Sequence, residues 1–94
     1  MPHNHIFKSD QVAVTDSVVT LFDTSMVVGR EYYGYVKNIG SEDVYIGCAV
    51  VTSECGFQLS TDEKLEIKFL DNTDVLNAIC APGESTNVCW FLAA

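Results

Sequence analysis

The sequence predicts an all-β fold: an antiparallel β-sandwich, jelly-roll-like, built from about 7–9 short strands. Three observations carry this. Val, Thr and aromatic residues dominate the apolar fraction, which is 48% of the 94 residues, and these side chains suit a pleated, half-buried surface. Apolar and polar residues alternate with period two in several short runs, and no segment shows an apolar stripe at helical spacing. Turn-forming clusters of Gly, Asp, Asn and Ser recur at short intervals, so the connections are too short for crossover helices and the strands run antiparallel.

The elements follow in order. Residues 1–10 place polar groups around one apolar pair, Ile6-Phe7, and read as a flexible N-terminal arm preceding a single domain over 11–94. Gln11–Val14 is a short strand, Thr15-Asp16 a tight turn, and Ser17–Phe22 a second strand. Met26–Val28 is a short edge strand before the turn at Gly29. Tyr32–Asn38 places Tyr33, Tyr35 and Lys37 on one face and Gly34, Val36 and Asn38 on the other. The turn Ile39–Asp43 then leads to Val44–Gly47, read as its hairpin partner with Val44 and Ile46 facing the core and Tyr45 opposite. In this turn Gly40 is expected to supply positive φ, and Asp43 to satisfy turn amides. Phe57–Leu59 is short and extended. Ser60–Glu63 is a turn, and Leu65, Ile67 and Phe69 alternate as a strand with Glu66, Lys68 and Leu70. Asp71–Asp74 is a turn, Val75–Cys80 a strand, and Pro82-Gly83 a strong turn signal. Asn87–Leu92 is apolar on both faces, which predicts a strand that is central or has its outer face covered.

Charge narrows the function. Five Lys and Arg face 13 Asp and Glu, a net charge of −8. Nucleic-acid binding, which needs clustered cations, is disfavoured, and so is an anionic membrane surface. No run approaches the ~18 apolar residues of a membrane-spanning helix, and the first residues do not read as a secretory signal. The expected site of synthesis is a cytoplasm.

No chemistry-bearing pattern stands out. His3 and His5 lie on the arm, where they cannot be preorganised beside a nucleophile, and a His-x-His metal site is disfavoured. The turn Asp71–Asp74 supplies too few oxygens for calcium unaided. Cys48, Cys55, Cys80 and Cys89 lack the close spacing of structural zinc sites. They read as free thiols, with a disulfide among them left open. The chain is therefore expected to be a protein-binding module rather than an enzyme, with no cofactor and no metal. The candidate interface residues are His5, Ile6 and Phe7 on the arm, and Tyr33, Tyr35 and Tyr45. In the hairpin register the three tyrosines form one aromatic patch on the outer face, suited to an interface since Tyr combines apolar area with a polar tip; the alternative is that they cover one side of the second sheet's core.

The run Lys37-Asn-Ile-Gly-Ser-Glu-Asp-Val-Tyr-Ile-Gly47, followed by Val51-Thr52, Gly56 and Leu59 and later by Gly83 and Val88, resembles the hairpin region of small β-sandwich virion proteins of tailed bacteriophages. These are head decoration (cement) proteins and related fibre or tail modules. A Pro-Gly turn usual in that family is missing near Thr61-Asp62. The resemblance implies a capsid decoration protein that sits on the outside of a phage head and stabilises the shell by binding it only when assembled. The implied partners are the major capsid protein and further copies of the chain, as a dimer or trimer. The alternative is a tail, neck or head-fibre module that contacts other virion proteins or a host receptor.

Overall fold

The structure, a computed structural model, describes residues 7–23, 31–48, 50–70 and 75–93. The expected Met26–Val28 strand, the Gly29 and Asp71–Asp74 turns, and residues 1–6 of the arm lie outside these residues.

Eight strands are present: β1 (Phe7–Val14), β2 (Val19–Asp23), β3 (Glu31–Asn38), β4 (Val44–Gly47), β5 (Phe57–Leu59), β6 (Lys64–Leu70), β7 (Val75–Ile79) and β8 (Thr86–Ala93). They form two four-stranded antiparallel sheets, ordered β1-β8-β3-β6 (sheet A) and β2-β7-β4-β5 (sheet B). This strand order is that of a jelly roll, as the sequence predicts. The strands β1–β2, β3–β4, β5–β6 and β7–β8 are each joined across the two sheets, and all four connections lie at one end of the sandwich.

Alternation sets which side chains fill the space between the sheets. Sheet A contributes Val14, Val36, Val88 and Leu92, and sheet B contributes Val44, Ile46, Leu59 and Ala78, all buried. Each fully buried Val or Leu stabilises the fold by about 1.5–3 kcal/mol relative to an exposed one. Leu21, at the register shift in β2 between Thr20 and Phe22, is also buried, on the core-facing side with Val19. β8 is central, between β1 and β3, which accounts for its two apolar faces. Val88 and Leu92 point to the core, while Cys89 and Phe91 are half-buried on the outer face.

Three expectations need correction. The arm does not extend to residue 10: residues 7–10 are part of β1, with Phe7 opposite Ala93 and Asp10 opposite Trp90. Main-chain pairing to β8 requires no apolar side chains at those positions, so composition misses it. Second, β3 and β4 are not a hairpin. β3 pairs with β6 and β8, and β4 pairs with β5 and β7, so residues 39–43 carry the chain from one sheet to the other. Third, Gly40 does not adopt positive φ. A Cβ there would run into Thr86 Oγ1 and lie 2.7 Å from the Asn87 nitrogen, so the position requires glycine for close approach. At Gly83, by contrast, φ is +80°, and the turn closes with the Glu84 N–H donating to Ala81 O at 3.0 Å.

Asn38 holds the crossing. It is fully buried. Its Nδ2 donates to Glu42 O at 2.6 Å and Leu59 O at 2.9 Å. Its Oδ1 accepts from the Gly40 N–H at 3.0 Å and the Thr86 hydroxyl at 2.9 Å. Its main chain is engaged as well, the N–H donating to Glu63 O at 3.0 Å and the carbonyl accepting from Asp62 N at 2.8 Å. One amide thus links three of the sheet-crossing connections, with both its donors and both its acceptor sites used.

Candidate functional site

The outer face of sheet A is built from two adjacent cross-strand rows. Register places Ser9, Phe91, Tyr35 and Glu66 in one row, and Gln11, Cys89, Lys37 and Lys64 in the next. Period two puts all eight on the face away from the core. The Tyr35 and Phe91 rings meet edge to face, with centroids 6.0 Å apart and planes at 71°. Lys64 Nζ lies 5.8 Å from the Tyr35 ring centroid, a cation–π contact. All eight residues but Glu66, together with Asp10 and Trp90, line a shallow groove of about 670 Å³. Lys37 and Lys64 stand directly opposite each other, an arrangement of like charges that costs stability within a sheet.

The end with the four sheet-crossing connections is acidic. Asp16, Glu42, Asp43, Asp62, Glu63 and Glu84 all lie in those connections, which contain no Lys, Arg or His. Some carboxylates serve the loops: Asp16 Oδ2 accepts from the Gly83 N–H at 3.1 Å, and Glu63 Oε1 from the Ser60 N–H at 2.6 Å. Asp43 takes the Gln58 amide at 2.8 Å rather than turn amides. The Glu84 carboxyl is pushed up from the ordinary range, chiefly by a hydrogen bond with Glu42 and then by the charges of Glu42 and Asp43. Among the described residues, no group of three His, Cys, Asp or Glu is placed to hold a metal ion.

The connection between β4 and β5, at the opposite end, carries a different chemistry. Val51 is buried and anchors the loop from within. A Cβ on Gly47 or Gly56 would each lie 2.8 Å from Val51 Cγ2, so both glycines make room for it. The Val51 N–H donates to Cys48 O at 3.0 Å, and the Gly56 N–H to Thr52 O at 2.9 Å. Around this anchor the surface is apolar and thiol-bearing. Val50 is 78% exposed and Phe57 58%, and Cys48 and Cys55 are exposed free thiols. Cys55 Sγ accepts from both the Thr52 N–H and the Thr52 hydroxyl, each at 3.3 Å. The hydroxyl first and the amide second lower the Cys55 thiol below its ordinary value, which favours the nucleophilic thiolate. β5 is an edge strand of sheet B, so its outer main-chain groups are open to pairing. Cys80 is the opposite case. It is buried with Sγ 3.5 Å from Val14 O, and burial, followed by the charge of Glu84, raises its thiol.

Of the residues singled out from sequence, Tyr33 and Tyr35 share the outer face of sheet A, with Tyr33 40% exposed. Tyr45 does not join them. It lies in β4, opposite Gln58 and Ile79, on the outer face of the other sheet, because β3 and β4 are not paired. Phe7 is placed in β1 as described above, while His5 and Ile6 lie outside the described residues. Sequence reasoning put Lys37 on the face of Tyr35 but missed Phe91, Cys89 and Lys64 as its companions, since alternation gives the face but not the neighbouring strand. It also missed the Thr52–Cys55 contact, for which the only sequence signal is a hydroxyl residue three positions before a cysteine.

No protein-family model matches the chain, and no curated protein matches it. Among solved structures, a chain from the disulfide-linked pili formed by Bacillus endospore appendages is similar over 97% of this chain and 89% of its own length, with a TM-score of 0.53 and 15% identity. That likeness concerns the fold.

Proposed function

We propose that this chain is a structural subunit that assembles with copies of itself into a fibre cross-linked by disulfides. The carrying observation is the β4–β5 connection. It combines an exposed thiol with a lowered pKa, a second exposed thiol at Cys48, two strongly exposed apolar side chains and an open strand edge. A buried free cysteine is a packing residue; an exposed thiol whose pKa is lowered is the better placed for exchange. The fold shared with a disulfide-linked pilus chain supports the same reading. An open chain needs two different thiols per subunit, since a Cys55–Cys55 bond closes a dimer. Cys48 and Cys89 are the available partners. Each bond forms as two thiols lose two protons and two electrons to an oxidant such as dioxygen or a small-molecule disulfide, in an oxidising compartment. The role is assembly, not catalysis.

The test is purified protein oxidised in air, run on a non-reducing gel and viewed by negative-stain microscopy. A ladder continuing beyond the dimer, filaments in the field, and loss of the ladder in Cys55→Ser support the reading. A single monomer band in wild type under every oxidant sinks it.

A second reading keeps the capsid decoration role, with the major capsid protein as partner. It is favoured by the resemblance of residues 37–47 to phage virion proteins. Quantitative mass spectrometry of purified virions decides it: hundreds of copies per particle identify a decoration protein, a dozen or fewer a tail or fibre module, and none removes both.

A further inference from the structure

Four of the five cationic residues, Lys8, Lys37, Lys64 and Lys68, lie on strands of sheet A, whereas no cation lies on a strand of sheet B. The acidic residues concentrate in the sheet-crossing connections. Two like-charge pairs of opposite sign result, Lys37 with Lys64 across β3 and β6, and Glu42 with Glu84 between two connections. The lysine pair is unfavourable in the monomer, and the two glutamates repel when both are ionised. Lys64 is set against the Tyr35 ring, and the groove beside the two lysines is open to solvent.

We propose that the acidic end of one copy, through Glu42, Asp43 and Glu84, docks into the Lys37–Lys64 groove on the outer face of sheet A of a second copy. The occupant is this chain itself because the charges are complementary: contact between copies relieves both repulsive pairs at once. Tyr35 and Phe91 supply the apolar floor that an interface core needs, and the lysines its charged rim. The two surfaces differ, so the contact is heterologous and leaves each copy with one free donor and one free acceptor surface. Such contacts propagate into rings or open filaments rather than closing a dimer. The inference rests on the fibre reading and supplies a noncovalent contact between copies, separate from the thiols at the opposite end of the sandwich.

The experiment uses the full chain under reducing conditions, so that disulfides do not contribute. Sedimentation velocity over a concentration series at low salt should show reversible association that weakens as salt rises, because rim charges are screened. The double variant K37E/K64E should associate more than about tenfold more weakly, and so should E42K/E84K, since each places like charges across the contact. An equimolar mixture of the two variants should regain association, because each then offers the surface the other requires. Wild-type association left unchanged in both variants, or a mixture that stays monomeric, overturns the docking contact. If oxidised wild type still gives filaments in that case, the fibre reading survives without it; if wild type neither associates nor cross-links, both fall. Circular dichroism melts check that the variants fold, and K37Q/K64Q with the salt series replaces any variant that does not.

Discussion

The two ends of the sandwich are both secured by one buried residue, but they use it differently. At the sheet-crossing end, Asn38 turns every polar group of its side chain inward, onto main-chain and hydroxyl groups of the surrounding connections. At the other end, the Val51 side chain anchors the β4–β5 connection by packing, beside main-chain hydrogen bonds within the loop. That leaves the polar and reactive groups of the loop, Thr52 and Cys55, facing outward. The difference separates fold from function. A network of satisfied buried hydrogen bonds specifies a unique crossing, whereas an apolar plug holds a loop in place while its chemistry stays exposed.

The largest effect should come from Asn38→Leu. The substitution keeps the volume but leaves two carbonyls, one N–H and one hydroxyl without their partner. Unsatisfied buried groups cost about 1–3 kcal/mol each, and some of them relax, so a loss of about 3–5 kcal/mol is expected in urea denaturation. A loss below about 1 kcal/mol would mean that solvent or neighbours replace the amide and that the crossing does not depend on it. Val51→Ala should come next, at about 2 kcal/mol from lost transfer and a partly collapsed cavity. It should also disorganise the Thr52–Cys55 contact, so the rate of Cys55 alkylation near neutral pH should fall. If stability drops and the alkylation rate does not, the loop's chemistry is independent of its anchor.

These two positions also mark what was legible in the sequence. The strands were readable because period-two alternation survives at Val36, Val44, Ile46, Val88 and Leu92 whatever their partners. Sheet membership was not. Five residues between β3 and β4 can close a hairpin or cross a sandwich, and alternation is identical in the two cases. What decides is the pairing of Asn38 with Thr86 and with the Leu59 carbonyl, 48 and 21 residues away, and no local pattern records it. The same limit split the tyrosines. Tyr33 and Tyr35 share a strand and so their common face was readable, whereas Tyr45 was assigned to them through a pairing that does not exist. Cys55 was visible as a free thiol, but its activation depends on a loop geometry set by Val51, Gly47 and Gly56.

A smaller effect belongs to the acidic end. Glu84 has its carboxyl pKa raised in the fold by Glu42 and Asp43. A raised value means the folded chain binds this proton more readily than the unfolded chain does. The group therefore favours folding most at pH below its unfolded pKa, and that contribution is lost as pH rises through the folded value. Glu84→Gln removes one ionisable carboxyl from beside Glu42 and Asp43. Its melting temperature should be slightly above wild type at pH 7, with the gap closing as pH falls into the carboxylate range. A gap that is constant with pH would assign the change to the amide's own contacts.

The smallest effect on stability, and the sharpest on chemistry, is expected for Thr52→Val. The substitution is nearly isosteric, its site is exposed, and the Thr52 N–H still reaches the sulfur, so melting at pH 7 should be unchanged. The hydroxyl is the first cause of the lowered Cys55 thiol, so its removal should move the pH profile of Cys55 alkylation upward toward that of an ordinary cysteine, while Thr52→Ser retains the wild-type profile. The stability counterpart has a definite sign: a depressed thiol pKa favours the fold above the unfolded value, and the benefit is lost as pH falls through the folded one. Wild type should therefore gain on Thr52→Val only in alkaline solution. An alkylation profile that stays put in Thr52→Val would leave the amide alone as the thiolate's support, and the outward-facing polar group would no longer distinguish this end of the sandwich from the other.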